Sequence, residues 1–227
     1  MEINQPQISS PAKQVADFAA ALRANAPDYD IEFSEEALQQ LIAYYQIINN
    51  WNPRLHLVAP CSADEFAKRH ILESLLLLRH LPNAARIIDV GSGAGLPTIP
   101  CLITRIDLSA VLIESAQRKA IFLREALALI GKTNAAEVIA QRFEDVEPPA
   151  AKFITARAVE RFAEILPGLI AWAPRPSTLL LFGGSELKGK LEALGLKYEE
   201  MLIPNSERRF LFKVEGNRSP NRGNDHV

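Results

Sequence analysis

Two cysteines, Cys61 and Cys101, are all the thiol chemistry this 227-residue chain carries. They stand alone, with neither metal-ligand spacing nor the pattern of a disulfide framework. No apolar run reaches the ~18 residues of a membrane span. The opening MEINQPQISSPAKQ lacks the zones of a secretory signal. An excess of charge of one sign is also missing. The formal net charge of −2 excludes a strongly basic nucleic-acid binder but leaves room for a local basic patch. No internal repeat is visible. Hydrophobic residues make up 48 % of the chain, ample for a core. These absences point to a cytoplasmic protein that holds no metal, meets no membrane and works as a monomer.

What is present centres on residues 85–100, ARIIDVGSGAGLPTIP. Arg86 to Val90 is a short apolar run ending beside an acid, the pattern of a buried parallel strand. Gly91, Gly93 and Gly95 follow, and an apolar stretch of helical character comes next. Strand, glycine turn and helix form the geometry that binds a nucleoside at the carboxyl end of a parallel sheet. A dinucleotide site has G-x-G-x-x-G. Here the third glycine comes one residue early, as in the loops that bind S-adenosylmethionine (SAM), and this disfavours a dehydrogenase. Glu114 ends the next apolar run, 19 residues past Gly95. That is near the ~20 expected for a carboxylate on ribose hydroxyls.

The rest of the chain gives a coarse outline. Residues 1–12 are polar and loose. Helices are expected over 12–26, from a Ser34 cap to the Asn50-Trp51-Asn52-Pro53 stop, and from a Ser62–Glu65 capping box to about His80. Trp51 reads as a packing anchor. Strands are expected at 137–140, 152–156, 178–182, 198–203 and 209–214, with Pro167 kinking or restarting the helix before the fifth. The chain is read as an α/β, Rossmann-like fold with a seven-stranded, mostly parallel sheet and one reversed edge strand. Residues 1–83 form an N-terminal helical extension, 84–215 the α/β domain and 216–227 a disordered tail.

On this outline Gly91, Glu114, Phe143-Glu144 and Arg157 share one rim. Phe143 is placed to flank an adenine, and Glu144 to accept from its amine. Arg157 has three readings open: a partner for the methionine carboxylate, a substrate contact, or a salt bridge to a neighbouring acid. After the fourth strand stands Thr155-Ala156-Arg157-Ala158, not the Asn/Asp-Pro-Pro-aromatic motif of amino-directed methylation. No cysteine stands there as a nucleophile for carbon methylation. The acceptor expected is therefore already nucleophilic, and guanine N7, with its free lone pair, fits. Such a reaction needs positioning rather than a general base, so no catalytic residue is assigned.

The sequence resembles the bacterial small-subunit rRNA guanine-N7 methyltransferases, the RsmG or GidB family. The resemblance rests on Trp51-Asn52, Arg69 to Ser74 (RHILES), Ile88 to Pro97 (IDVGSGAGLP), Leu112 to Ser115, Phe122 to Arg124 and Ile154 to Ala158. It spans residues 35–215. It implies the SAM-dependent methyltransferase fold for 84–215, and methyl transfer from SAM to N7 of a guanine in the decoding region of 16S rRNA. The partner implied is 16S rRNA or the small ribosomal subunit. Cofactor contacts fall on Gly91, Leu96, Phe143, Glu144 and Arg157, beside Gly93 and Glu114 read from the loop itself. Arg69, His70, Arg118, Lys119 and Arg124 become candidates for RNA phosphate contact. The chain departs from the family pattern at His56-Leu57-Val58 for Asn-Leu-Thr, at Thr98 for a small residue, and at Gly183-Gly184 for Lys-Gly. Lys188 or Lys190 would have to replace that lysine. The competing readings are a small-molecule SAM methyltransferase, with the N-terminal helices closed over an apolar pocket, and a non-catalytic SAM- or RNA-binding protein.

Overall fold

A computed structural model describes residues 10–157 and 162–215. The tail at 216–227, Ala158 and most of the expected loose start lie outside these residues. Seven strands form one sheet: β1 (Arg86–Val90), β2 (Ser109–Ile113), β3 (Ala136–Ile139), β4 (Phe153–Arg157), β5 (Thr178–Gly183), β6 (Tyr198–Leu202) and β7 (Phe210–Glu215). Their order is β3-β2-β1-β4-β5-β7-β6. Only β7 is reversed, pairing antiparallel with both β5 and β6. It is not the edge strand expected from the sequence. Two consecutive strands announce a hairpin, but not which arm joins the sheet. The buried arm does: Leu211, Phe212 and Val214 of β7 are covered, whereas β6 exposes Glu199, Glu200 and Leu202.

Alternate strand residues point to opposite faces, as the pleat requires. Ile87, Ala110, Leu112, Leu180 and Leu211 pack into one core with α1 (Pro11–Asn25), α2 (Glu35–Leu55), the helical run from Ala63 to His80, α5 (Thr98–Thr104) and α6 (Gln117–Leu129). Ile88, Val90, Ile154, Leu179, Leu181 and Phe212 face the other way, against Leu166 and Leu169 of α7 (Phe162–Trp172) and Leu187 and Leu191 of α8 (Ser185–Ala193). The N-terminal helices thus bury their apolar faces directly on the sheet's own core. Trp51 anchors α2 by an edge-on contact with Phe122 of α6.

Two serines cap their helices as the sequence predicts, whereas Ser115, expected to cap α6, does not: Ala116 is the cap residue there. Ser34 Oγ accepts from Ala37 N–H, and Ser62 Oγ from Glu65 N–H. Glu65 does not complete a reciprocal box, because its carboxylate pairs with Arg69 at 2.6 Å. Neither Pro53 nor Pro167 ends its helix. Helix α2 runs through Pro53 to Leu55, and α7 runs through Pro167. Helix α8 has no counterpart in the sequence outline. Its nine residues, with Gly189 inside, give too short a pattern to read. The third helical run is not uniform: α3 (Ala63–Phe66) passes into a π-helix (Ala67–Leu72), then α4 (Glu73–Leu75) and a 3₁₀ turn (Leu76–His80). Glu73 N–H reaches back five residues to Lys68 O. Wide turns of this kind occur often at functional sites. No helix among the described residues is long and apolar enough to cross a membrane.

Candidate active site

The parallel strands end on one rim, where a recess of about 780 Å³ opens. The glycine loop forms its floor. Gly91, Gly93 and Gly95 all have positive φ, the region that favours glycine. Two side chains hold the loop from outside. Tyr44 O–H, from α2, donates to Ala94 O at 2.5 Å. The Glu114 carboxylate accepts Gly93 N–H on Oε2 and Ala116 N–H on Oε1, both at 2.8 Å. A carboxylate accepts about four hydrogen bonds, so Glu114 keeps acceptor capacity for the two hydroxyls of a ribose. A smaller recess of about 260 Å³ adjoins the first through Gly91 and Ser115. Its wall includes Phe143, buried edge-on against Trp172, and Glu144, exposed and paired with Arg142 at 3.0 Å.

The lining of the larger recess is rich in charge: the cations Arg69, Lys119, Arg157 and Arg209 share it with the carboxylates Glu73 and Glu114. Arg157 donates to Ser74 Oγ and Glu73 Oε2, both at 3.1 Å, and to Arg69 O. Its guanidinium lies 5.2 Å from the centre of the Phe182 ring. The salt-bridge reading of Arg157 thus has its partner in Glu73, and the same side chain lines the recess. Burial raises the Glu73 carboxyl pKa, opposed by Arg157, Arg209 and Arg69. With two guanidiniums in contact, both protonated at neutral pH, Glu73 is an ionised partner. His70, on the π-helix, has its pKa lowered to about 3 by burial and then by Arg157, Arg69 and Arg209. It is a neutral imidazole in this wall.

Of the five RNA candidates, Arg69, His70 and Lys119 line the recess. Arg118 is exposed on α6 and outside the lining. Arg124 donates to Val138 O at 2.9 Å, bracing α6 against β3. Neither Lys188 nor Lys190 reaches the recess; Lys188 pairs with Glu200 at 2.9 Å. A Cβ on Gly183 would lie 2.8 Å from Leu187 Cβ, so the place of a side chain there is filled. The sequence outline missed Tyr44, Phe182 and Arg209. Glu73 was legible only as the acid of the RHILES segment. Asn52 likewise gains a role: its amide bonds both N–H and C=O of Val58 at 3.0 Å, fixing the lip from His56 to Ala59.

Asp89, beneath the loop, is fully buried, and neither carboxylate oxygen has a hydrogen-bond partner of good geometry among the described residues. Burial raises its pKa to about 7, partly offset by the hydroxyls of Thr98 and Ser92. Its unfolded value is 3.8, so unfolding releases a proton between those two pH values and the fold weakens as pH rises through that window. Asp89→Asn removes the titration. Its Tm relative to the unsubstituted protein should climb from pH 4 to pH 7 and level off above. A constant difference across that range would show that Asp89 does not titrate there.

A sheet of this order, with a glycine loop after β1 and an acid, Glu114, just past β2, is the Rossmann-like methyltransferase fold. A solved SAM-dependent methyltransferase from Aquifex aeolicus has the same fold, with a TM-score of 0.55 at 14 % identity, over 77 % of this chain and 98 % of that one. The family described as GidB, rRNA small subunit methyltransferase G, matches residues 37–205. Ribosomal RNA small subunit methyltransferase G of Rhodospirillum centenum is 36 % identical over 181 residues, 79 % of this chain and 78 % of its own. The Neisseria meningitidis serogroup C protein of the same name is 34 % identical over 151 residues, 66 % and 70 % of the two chains. The chain belongs to the rRNA small subunit methyltransferase G family.

Proposed function

We propose that the chain transfers a methyl group from SAM to N7 of one guanine in the decoding region of 16S rRNA. Family membership carries the reading, and the two-sided recess supports it. The fit to the cofactor is physical. The recess falls within the ~300–1,000 Å³ of small-molecule sites, the loop is built from positive-φ glycines, and Glu114 has lone pairs to spare. When bound, SAM supplies an electrophilic sulfonium methyl. Gly91, Gly93 and Leu96 would bed the cofactor, Glu114 its ribose, and Phe143 and Glu144 its adenine. Arg157, on β4 beside β1, lines the same recess between the glycine loop and Arg209.

The protein's work is then alignment. Guanine N7 needs no proton removed, and His70, held near a pKa of 3, is a weak base. Near-attack alignment alone is worth about 7–11 kcal/mol in favourable models. Four cations in the lining favour a polyanionic substrate over a neutral metabolite. Arg69 and Lys119 are the proposed phosphate contacts from the earlier set, and His70 a neutral hydrogen-bonding group beside them. The enzyme is read as a cytoplasmic monomer whose helices from residues 1–83 share in building the site.

The test is transfer of labelled methyl to small subunits and to naked 16S rRNA from cells lacking this gene, followed by cleavage at alkali-labile N7-methylguanine. One cleavage site in the decoding region is expected. No incorporation by protein that binds SAM would overturn the reading.

A further inference from the structure

Glu73 joins three distant parts of the chain at one buried carboxylate, exposed by only 2 %. Oε2 lies 3.1 Å from Arg157 Nη2, at the end of β4, and Oε1 lies 2.6 Å from Arg209 Nη1, just before β7. Both arginines line the larger recess. Arg209 reaches it because β7 is reversed: Phe210 pairs beside Gly183, at the rim where the parallel strands end. One carboxylate cannot neutralise two guanidiniums. The pair therefore carries an excess positive charge, and in a partly dry wall like charges repel strongly. Their closeness depends on the acid between them.

The position of Arg209 separates it from the nucleoside end. From β2, which leads into Glu114, the sheet order passes β1, β4 and β5 before β7. That is four steps for Arg209, about 19 Å at ~4.8 Å per strand, and two steps, about 10 Å, for Arg157 at the end of β4. Guanidiniums recognise phosphate by paired N–H donors.

We propose that Glu73 is a positioning residue for methyl transfer, holding Arg157 and Arg209 as a pair that seats an RNA phosphate beside the target guanine. The proposal rests on the rRNA methyltransferase reading. Glu73 itself touches no substrate. It sets the separation of two groups that do, and the π-helix before it, with the bond from Arg157 to Arg69 O, fixes its place.

The test compares the unsubstituted protein with E73Q, R209Q and the double variant E73Q/R209Q. Each is measured for SAM affinity by calorimetry, for kcat and KM on undermethylated small subunits, and for thermal unfolding. E73Q and R209Q should each raise the RNA KM at least tenfold while SAM affinity stays within about threefold. The double variant should be little worse than either single one, because both remove the same seat. R209Q should also lower the slope of log KM against log salt by about one. Should E73Q fail to fold, R209Q decides alone, since it leaves Glu73 paired with Arg157. Unchanged KM in both single variants would overturn the proposal. So would lost SAM affinity with RNA KM intact, which would make the pair a seat for the cofactor's carboxylate. So would fully additive effects. An unsubstituted protein that methylates no RNA would instead refute the function on which the proposal stands.

Discussion

Gly95→Val should unfold the floor of the site. Gly95 has φ +83°, and a Cβ there would lie 2.8 Å from Ile99 Cγ1 and 3.1 Å from Leu123 Cδ2. Both neighbours are fully buried and have nowhere to go. Backbone strain of about 1–2 kcal/mol adds to overpacking of about 1–3 kcal/mol. For a chain of this size that lowers Tm by roughly 5–20 °C, and SAM affinity should fall at least a hundredfold with the loop. The neighbouring glycine separates fold from ligand. At Gly93 the nearest atom to a new Cβ is Gly91 O, at 3.7 Å. Gly93→Val therefore carries the strain of its +54° φ but no clash, and should weaken SAM binding with a smaller fall in Tm. Thermal unfolding and calorimetry on both variants decide the matter. A Gly95→Val protein with unsubstituted Tm would show that the loop can be rebuilt around a side chain.

Arg157→Ala should be nearly as severe, for a different reason. Removal leaves Glu73 Oε2 buried without its partner, and Ser74 Oγ and Arg69 O lose their donor. Breaking a buried pair typically costs about 3–5 kcal/mol. Arg209 remains on Oε1, so the lower part of that range is expected, with methyl transfer down at least a hundredfold. Arg157→Lys should not rescue activity, because one ammonium cannot match a planar fork that serves three acceptors. Urea unfolding and methyl transfer measure the two effects separately. Full activity in Arg157→Ala would reduce the residue to packing.

The glycine-loop side of the site was legible because its signals are local. A run of apolar residues ending in glycines fixes β1 and its loop, and Glu114 follows at a readable distance. Phe143, Glu144 and Arg157 fall at strand ends that turn residues mark out. The arginine-lined side was not legible in the same way. Arg209 and Glu73 meet only in three dimensions, and an ion pair between remote residues leaves no period in a sequence. Arg209 also depends on β7 lying inside the sheet, which hairpin signals do not specify. Tyr44 carried no signal of its own in the sequence, since its ring is core and only its hydroxyl reaches the loop. Pro53 misled because proline is a strong stop signal, yet α2 continues two residues beyond it.

The two sides of the site also differ in how much chain each must close. Gly93 and Glu114 are 21 residues apart, whereas Arg157 reaches back 84 residues to Glu73 and 88 to Arg69. Closing a longer loop costs more entropy before its contacts can form, and non-local contacts slow folding. During refolding the glycine loop and its acid can come together while the arginine wall is still open. Pulse-labelled hydrogen exchange during refolding should then protect the glycine loop before the arginine wall.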